Sequence, residues 1–137
     1  MKIYTSYFAM SNKIPKDLCQ ISICLNTPTW FNGKQYDKLA PKWDFFKPWK
    51  YETYGKEDLY HNNEYFISEY ESLVIGDLYI EEVIRDLKEL SNNKDVVLMC
   101  FEKPDDFCHR HIAAKWIEEQ LWLEYDKDIT VKELKFN

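Results

Sequence analysis

The sequence predicts a three-layer α/β fold, a mostly parallel sheet flanked by helices in a Rossmann-like arrangement, as a single domain over residues 1–137. Three observations carry this reading. The apolar run Val96-Val97-Leu98-Met99-Cys100-Phe101 is unbroken but too short for a helix, the pattern of a strand covered on both faces. In the second half of the chain, strands and segments of helical period alternate, an order that forces crossover connections and a parallel or mixed sheet. A length of 137 residues, with 45% hydrophobic and 31% charged side chains, suits one core and argues against both disorder and a membrane protein.

The elements follow in chain order. Ile3 to Phe8 is β-branched and aromatic with no breaker, and Ile21-Ser22-Ile23-Cys24-Leu25 alternates apolar and small polar residues; both read as short strands. From Thr27 to Lys56, Pro28, Gly33, Pro41, Pro48 and Gly55 punctuate scattered rings, which predicts loops and short helical turns without clean periodicity. Leu59, Phe66, Tyr70, Leu73 and Val74 form a helical stripe that stops before Gly76. Asp77 suits an N-cap for a helix with Ile80, Val83, Ile84, Leu87 and Leu90 on one face, ending in Ser91-Asn92-Asn93. The Val96 run is placed at the sheet centre. Asp105 or Asp106 is expected to cap a third helix carrying Ile112, Ala113, Trp116, Ile117 and Leu121, and Ile129 to Leu134 alternates as a last strand.

Charge narrows the function. With 18 basic against 24 acidic side chains and a net charge of -6, the chain lacks the cationic excess of a backbone-driven nucleic-acid binder, so nonspecific nucleic-acid binding is not expected. No stretch reaches the roughly 20 apolar residues of a membrane span. The start, Met1-Lys2-Ile3-Tyr4-Thr5-Ser6-Tyr7, is too polar for a signal peptide, which predicts a cytoplasmic protein. The cysteines at 19, 24, 100 and 108 are therefore read as thiols.

The densest chemistry lies in Cys100-Phe101-Glu102-Lys103-Pro104-Asp105-Asp106-Phe107-Cys108-His109-Arg110-His111. This window joins the expected central strand to a helix start, where open α/β sheets place their ligands. A cysteine in the first helical turn meets free backbone N–H groups and the positive end of the helix dipole, which favour thiolate. Cys108 is the candidate nucleophile or else an anion-site residue, His109 its general acid/base or thiolate partner, and Glu102 the group that orients either His109 or Arg110. Cys100, Arg110 and His111 are candidate ligand contacts, Arg110 as an exposed anion clamp. Blander readings stand beside these: Cys100 as an inert buried thiol, His111 as an exposed side chain, Glu102 as a solvated loop acid.

Familiar templates fail on spacing. A phosphatase loop needs an arginine six residues after its cysteine, and six after Cys100 stands Asp106. A zinc site is disfavoured, and no metal ligand is assigned, because Cys19 and Cys24 fall in or beside one strand at different depths or on opposite sides. There is no P-loop, dinucleotide glycine pattern or Gly-x-Ser-x-Gly elbow. No cofactor is legible. The block from Trp30 to Tyr70 holds 13 aromatic residues. Most suit core or lid, while loop tryptophans such as Trp30, Trp43 and Trp49 suit stacking on a base or nucleotide.

The run Leu98-Met99-Cys100-Phe101-Glu102-Lys103-Pro104 leading into Phe107-Cys108-His109-Arg110-His111 resembles the C-terminal signature of the domain of unknown function 488 family. Ile3-Tyr4-Thr5-Ser6-Tyr7-Phe8, Ile21-Ser22-Ile23, Pro28-x-Trp30, Tyr36, Leu39-Ala40-Pro41 and the Tyr65 to Tyr70 spacing extend the likeness, as in the short branch of that family. Longer members carry Asp-Val-Arg where this chain has Ser22-Ile23-Cys24. The resemblance implies a compact α/β domain with a Cys/His/Arg site and brings no reaction with it.

The expected function is binding of an anionic small molecule, a nucleotide or modified base, in a Cys/His/Arg pocket with cysteine-dependent catalysis. Two alternatives stand: a non-catalytic module that sequesters a nucleotide or docks a protein, and a thiol redox pair of Cys100 and Cys108.

Overall fold

The structure, a computed structural model, describes residues 1–51, 59–123 and 129–136, without the side chains of residues 59–61. Its centre is a five-stranded sheet of order β3-β2-β4-β1-β5, parallel at every pairing. The strands are β1 (Lys2–Tyr7), β2 (Cys19–Ser22), β3 (Lys34–Gln35), β4 (Val96–Cys100) and β5 (Thr130–Glu133). β4 is buried along its whole length and stands in the middle, as its uninterrupted apolar run requires. Its register pairs Tyr7 with Cys100 on one side and Ser22 with Met99 on the other.

The strand period of two divides β4 between two layers. Val96 and Leu98 join Ile3 and Ile21 against α3 (Ile80–Ser91) and α4 (His109–Leu123), which supply Val83, Leu87, Ala113 and Ile117. Val97 and Met99 face the other way, onto Phe8, Ile14, Leu18 and Phe31 from a 3-10 turn at Phe8–Lys13 and the loops around it. Each fully buried aliphatic side chain in these layers stabilises the fold by about 1.5–3 kcal/mol. The three-layer α/β expectation holds, the second layer being built of a short turn and aromatic loops. A third cluster, Phe45, Phe66, Tyr70, Val74 and Ile75, joins α1 (Trp43–Tyr51) to α2 (Leu59–Leu73) and reaches α4 through Ile112 and Trp116. Among the described residues no helix is long and apolar enough to cross a membrane.

Several boundaries differ from the sequence reading. α1, nine residues long, occupies a stretch where the sequence predicts loops and short helical turns: Phe45 and Phe46 donate to the Lys42 carbonyl, and Phe45 packs edge-on against Phe66 at 5.2 Å, so tertiary contact offsets the donor lost at Pro48. Asp77 lies in a 3-10 turn, and the residue capping α3 is Tyr79, with no side-chain cap bond. Asn92 ends α3 in the left-handed region at φ 53°, a conformation asparagine tolerates. α4 starts at His109, not at Asp105 or Asp106, because Phe107 is drawn between Trp49 and Phe66 at centroid distances of 5.7 and 5.3 Å, which holds the preceding chain out as a loop. Residues 52–56 of the expected loop, Gly55 among them, and the Leu59 side chain lie outside the described residues.

Candidate functional site

Parallel pairing brings the carboxyl ends of β1, β2, β4 and β5 to one edge of the sheet, and α4 begins there. Past the end of β2, Ile23 still donates its N–H to the Met99 carbonyl at 3.1 Å, which carries Cys24 alongside Cys100 at the end of β4. Cys108 immediately precedes α4 and its carbonyl accepts from the His111 N–H at 3.1 Å, so the sulfur sits at the helix entrance.

A sulfur and imidazole centre results. Cys100 and Cys108 are joined by a disulfide across Cα atoms 7.2 Å apart. His109, buried, places Nε2 at 2.6 Å from the Ile23 carbonyl. A carbonyl only accepts, so Nε2 carries the proton and the Nδ1 lone pair faces the sulfurs, 3.6 Å from Cys100 Sγ and 4.0 Å from Cys108 Sγ. Burial pulls the His109 pKa down to about 4 against the opposing bond to Ile23, so the ring is neutral at physiological pH. Cys24 completes the group: its Sγ, Cys100 Sγ and a His109 ring nitrogen all lie within 4.8 Å of one another. Burial, reinforced by the Glu102 charge, pushes the Cys24 thiol up to about 12, and its S–H donates to the Met99 carbonyl at 3.9 Å. Glu102 Oε2 is 3.4 Å from Cys100 Sγ.

These groups floor a cleft of about 310 Å³. Phe46, Trp49 and Tyr51 of α1, with Phe66 and Phe107, make its aromatic wall, and Lys50 stands at the rim. Tyr70, fully buried, donates to the Leu39 carbonyl at 2.7 Å and lays its ring 5.7 Å from that of His109, fixing the imidazole from behind.

The remaining sequence candidates fall elsewhere. Arg110 is fully buried, where the sequence reading expects an exposed guanidinium. Its Nε and Nη2 donate to the Glu133 carboxylate at 3.2 and 3.0 Å, its Nη1 donates to the Glu102 carbonyl at 2.7 Å, and it does not line the cleft. His111 is half-buried beside it, Nε2 without a partner, and also outside the cleft. Its pKa is lowered, chiefly by burial and then by the Arg110 charge. Trp30 is exposed, edge-on to Phe8 at 6.3 Å, and borders a separate hollow with Ser11 and Gly33. Cys19, at the opposite end of β2 and paired with Val96, is remote from the site, as its separation from Cys24 along one strand implies.

Sequence reasoning missed Cys24, Lys50 and Glu133, and of the three tryptophans it reads as suited to stacking, Trp30, Trp43 and Trp49, it is Trp49 that walls the cleft. The sequence spacing pairs Cys24 with Cys19 alone. Its place just past the end of a strand that neighbours β4 is the signal that finds it, once the parallel order is known.

The protein is a parallel α/β domain with a cysteine–histidine centre at the carboxyl edge of its middle strand, walled by aromatic rings. The chain belongs to the domain of unknown function 488 family: residues 10–121 match the model described as the active DUF488-N3 subclade. Neither a curated protein nor a solved structure matches it.

Proposed function

We propose that the cleft binds a planar anionic small molecule, a nucleotide or modified base, and that the reduced Cys108 thiol adds to an electrophilic ring carbon of it, the S–H proton passing to His109 Nδ1 as the ring π bond opens and its electron pair moves to the neighbouring atom. The observation behind this is the meeting of aromatic walls with an oriented imidazole and two sulfurs at one strand edge. Aromatic rings suit stacking on a base, a contact that needs no net positive charge and so is compatible with the net charge of -6. Lys50, not Arg110, supplies the cation at the rim. His109 is oriented by Ile23 in the way a base is oriented by a third group in other nucleophilic sites. Arg110 acts as a positioning residue that holds Glu102 and the helix start in place. The expected setting is cytoplasmic, where thiols are kept reduced, so the dithiol is the working form that supplies the nucleophile and the Cys100–Cys108 disulfide is its transient oxidised state.

The Cys100–Cys108 bond also favours a second reading, a dithiol–disulfide redox protein whose exchange partner docks over the cleft.

The test is a thermal-shift and fluorescence titration of the reduced protein with nucleotides and bases. Binding that falls about tenfold or more in Trp49→Ala and is unchanged in Trp30→Ala supports the reading, since stacking contributes about 1–3 kcal/mol per base. Lys50→Ala should weaken phosphorylated ligands more than bare bases. Absence of any stabilising ligand in the panel defeats the proposal. Cys108→Ser that binds normally but turns nothing over marks an enzyme; no turnover by the wild type marks a sequestering module.

A further inference from the structure

The three groups Cys24, Cys100 and His109 come from the ends of three different elements, yet their ligand atoms all lie within 4.8 Å of one another and all three residues are buried. In a tetrahedral zinc centre, Zn–S bonds of about 2.3 Å and Zn–N bonds of about 2.0–2.1 Å leave ligand atoms roughly 3.5–3.8 Å apart. Side-chain shifts of about an ångström would close that difference. We propose that Cys24, Cys100 and His109 form a site for a thiophilic divalent cation, Zn²⁺ above all, which becomes available when the Cys100–Cys108 disulfide is reduced.

Three features argue for a metal over a chance cluster. The first is the tautomer. His109 donates Nε2–H to the Ile23 carbonyl at 2.6 Å and turns its Nδ1 lone pair to the sulfurs. That is the arrangement by which metal-bound histidines are held, one ring nitrogen on a backbone carbonyl and the other on the ion. The second is the donor set: two sulfurs and an imidazole suit Zn²⁺ and exclude Mg²⁺ or Ca²⁺, which take oxygen ligands. The third is access. All three residues line the aromatic cleft, so a fourth coordination position opens to whatever occupies it, the pattern of zinc sites with three protein ligands and one exchangeable position.

Oxidation state governs the site. While Cys100 Sγ is bonded to Cys108 Sγ it cannot serve as a thiolate ligand. A dithiol reductant breaks that bond and is itself converted to a disulfide; its two electrons and two protons go to Cys100 and Cys108. Zn²⁺ then displaces the thiol protons of Cys24 and Cys100, which pass to solvent. Glu102, 3.4 Å from Cys100 Sγ, adds negative charge beside the cation. Zn²⁺ on Nδ1 takes the lone pair that the nucleotide reading assigns to proton transfer, so the metal-bound and nucleophilic forms of the site are alternatives, and the inference is tested apart from that reading because its readout is metal stoichiometry with no organic ligand present.

The experiment is Zn²⁺ titration of the full chain with a competing chromophoric chelator, followed by Co²⁺ absorption spectroscopy. Wild type treated with a phosphine reductant should bind one Zn²⁺ per chain, and untreated, oxidised wild type none at that site. Cys108→Ser, in which the Cys100–Cys108 disulfide cannot form, should bind one Zn²⁺ after a brief reduction that clears any Cys24–Cys100 bond, and should keep it once the reductant is removed. Cys24→Ser should weaken binding at least about 100-fold. Cys19→Ser, altered at the far end of β2, should bind as wild type does. Should Cys24→Ser fail to fold, Co²⁺ in the reduced wild type decides: a tetrahedral spectrum with thiolate charge-transfer bands supports the site. An octahedral spectrum without those bands, no metal bound by Cys108→Ser, or unchanged affinity in folded Cys24→Ser overturns it.

Discussion

Arg110 grips Glu133 with two parallel hydrogen bonds, Nε at 3.2 Å and Nη2 at 3.0 Å, and so ties the first turn of α4 to the end of the edge strand β5. Thr5 of β1 donates its hydroxyl to the same carboxylate, and Tyr7 lies under the guanidinium with its ring centroid 5.9 Å away. The arginine is fully buried while the glutamate side chain is 22% exposed. The two partners therefore stand in unequal positions when the pair is broken.

Removing the glutamate should cost more than removing the arginine. Glu133→Ala strands a buried guanidinium and is expected to destabilise the fold by about 3–5 kcal/mol. Arg110→Met keeps much of the buried volume and leaves a carboxylate that water can reach, at about 1–3 kcal/mol. Denaturant unfolding of both variants checks the order; equal costs, or a larger one for Arg110→Met, would show that the ion pair is not what holds α4 to β5.

Alkylation should separate the four cysteines. With the Cys100–Cys108 bond intact, half-buried Cys19 is expected to label ahead of buried Cys24 but slowly at pH 7, because burial raises its thiol pKa. After reduction, Cys108 should lead, being at the entrance of α4 where free backbone N–H groups and the helix dipole favour thiolate, and Cys24 should trail, its pKa of about 12 leaving on the order of one thiolate in 10⁵. Equal, slow labelling of all four by mass spectrometry would remove the nucleophile from the proposed function.

Gly33 is expected to resist substitution although it is exposed. A Cβ there would lie 2.3 Å from the Phe31 ring and 2.4 Å from the Gln20 backbone carbonyl, and the latter belongs to β2 and cannot yield without disturbing the β2–β3 pairing. Gly33→Ala should destabilise by about 1–3 kcal/mol. A thermal melt unchanged from wild type would show that β3 shifts freely.

Asp86 should carry part of the acid sensitivity. Partial burial alone would raise its pKa, but hydrogen bonds from Lys38 Nζ at 2.9 Å and Tyr36 Oη at 2.7 Å, with the lysine charge, outweigh it and hold the carboxyl below its ordinary range. A depressed folded pKa gives stability that is present above the unfolded value near 4 and is lost as pH falls through the folded one. Asp86→Asn should therefore be less stable than wild type at pH 7 and should lose less further stability between about pH 5 and pH 2. Parallel stability curves for the two proteins over that interval would contradict this.

Local pattern determined the α/β class, the central place of β4, the amphipathic face of α3 and the site window from Cys100 to His111, because strand and helix periods and apolar runs are written in consecutive residues. The DUF488 likeness was legible in the same window. Tertiary structure decided what consecutive residues cannot encode. α1 forms in a segment punctuated by prolines because Phe45 and Trp49 find Phe66, and α4 starts late because Phe107 is taken by that same cluster. Cys24 reaches Cys100 only through the parallel pairing of β2 with β4. Arg110 turns away from the cleft because Glu133, 23 residues on, lies at the end of β5, where pairing with β1 sets its carboxylate within reach of the guanidinium. A buried charge takes the partner that the sheet order delivers, and sheet order is a property of the whole chain.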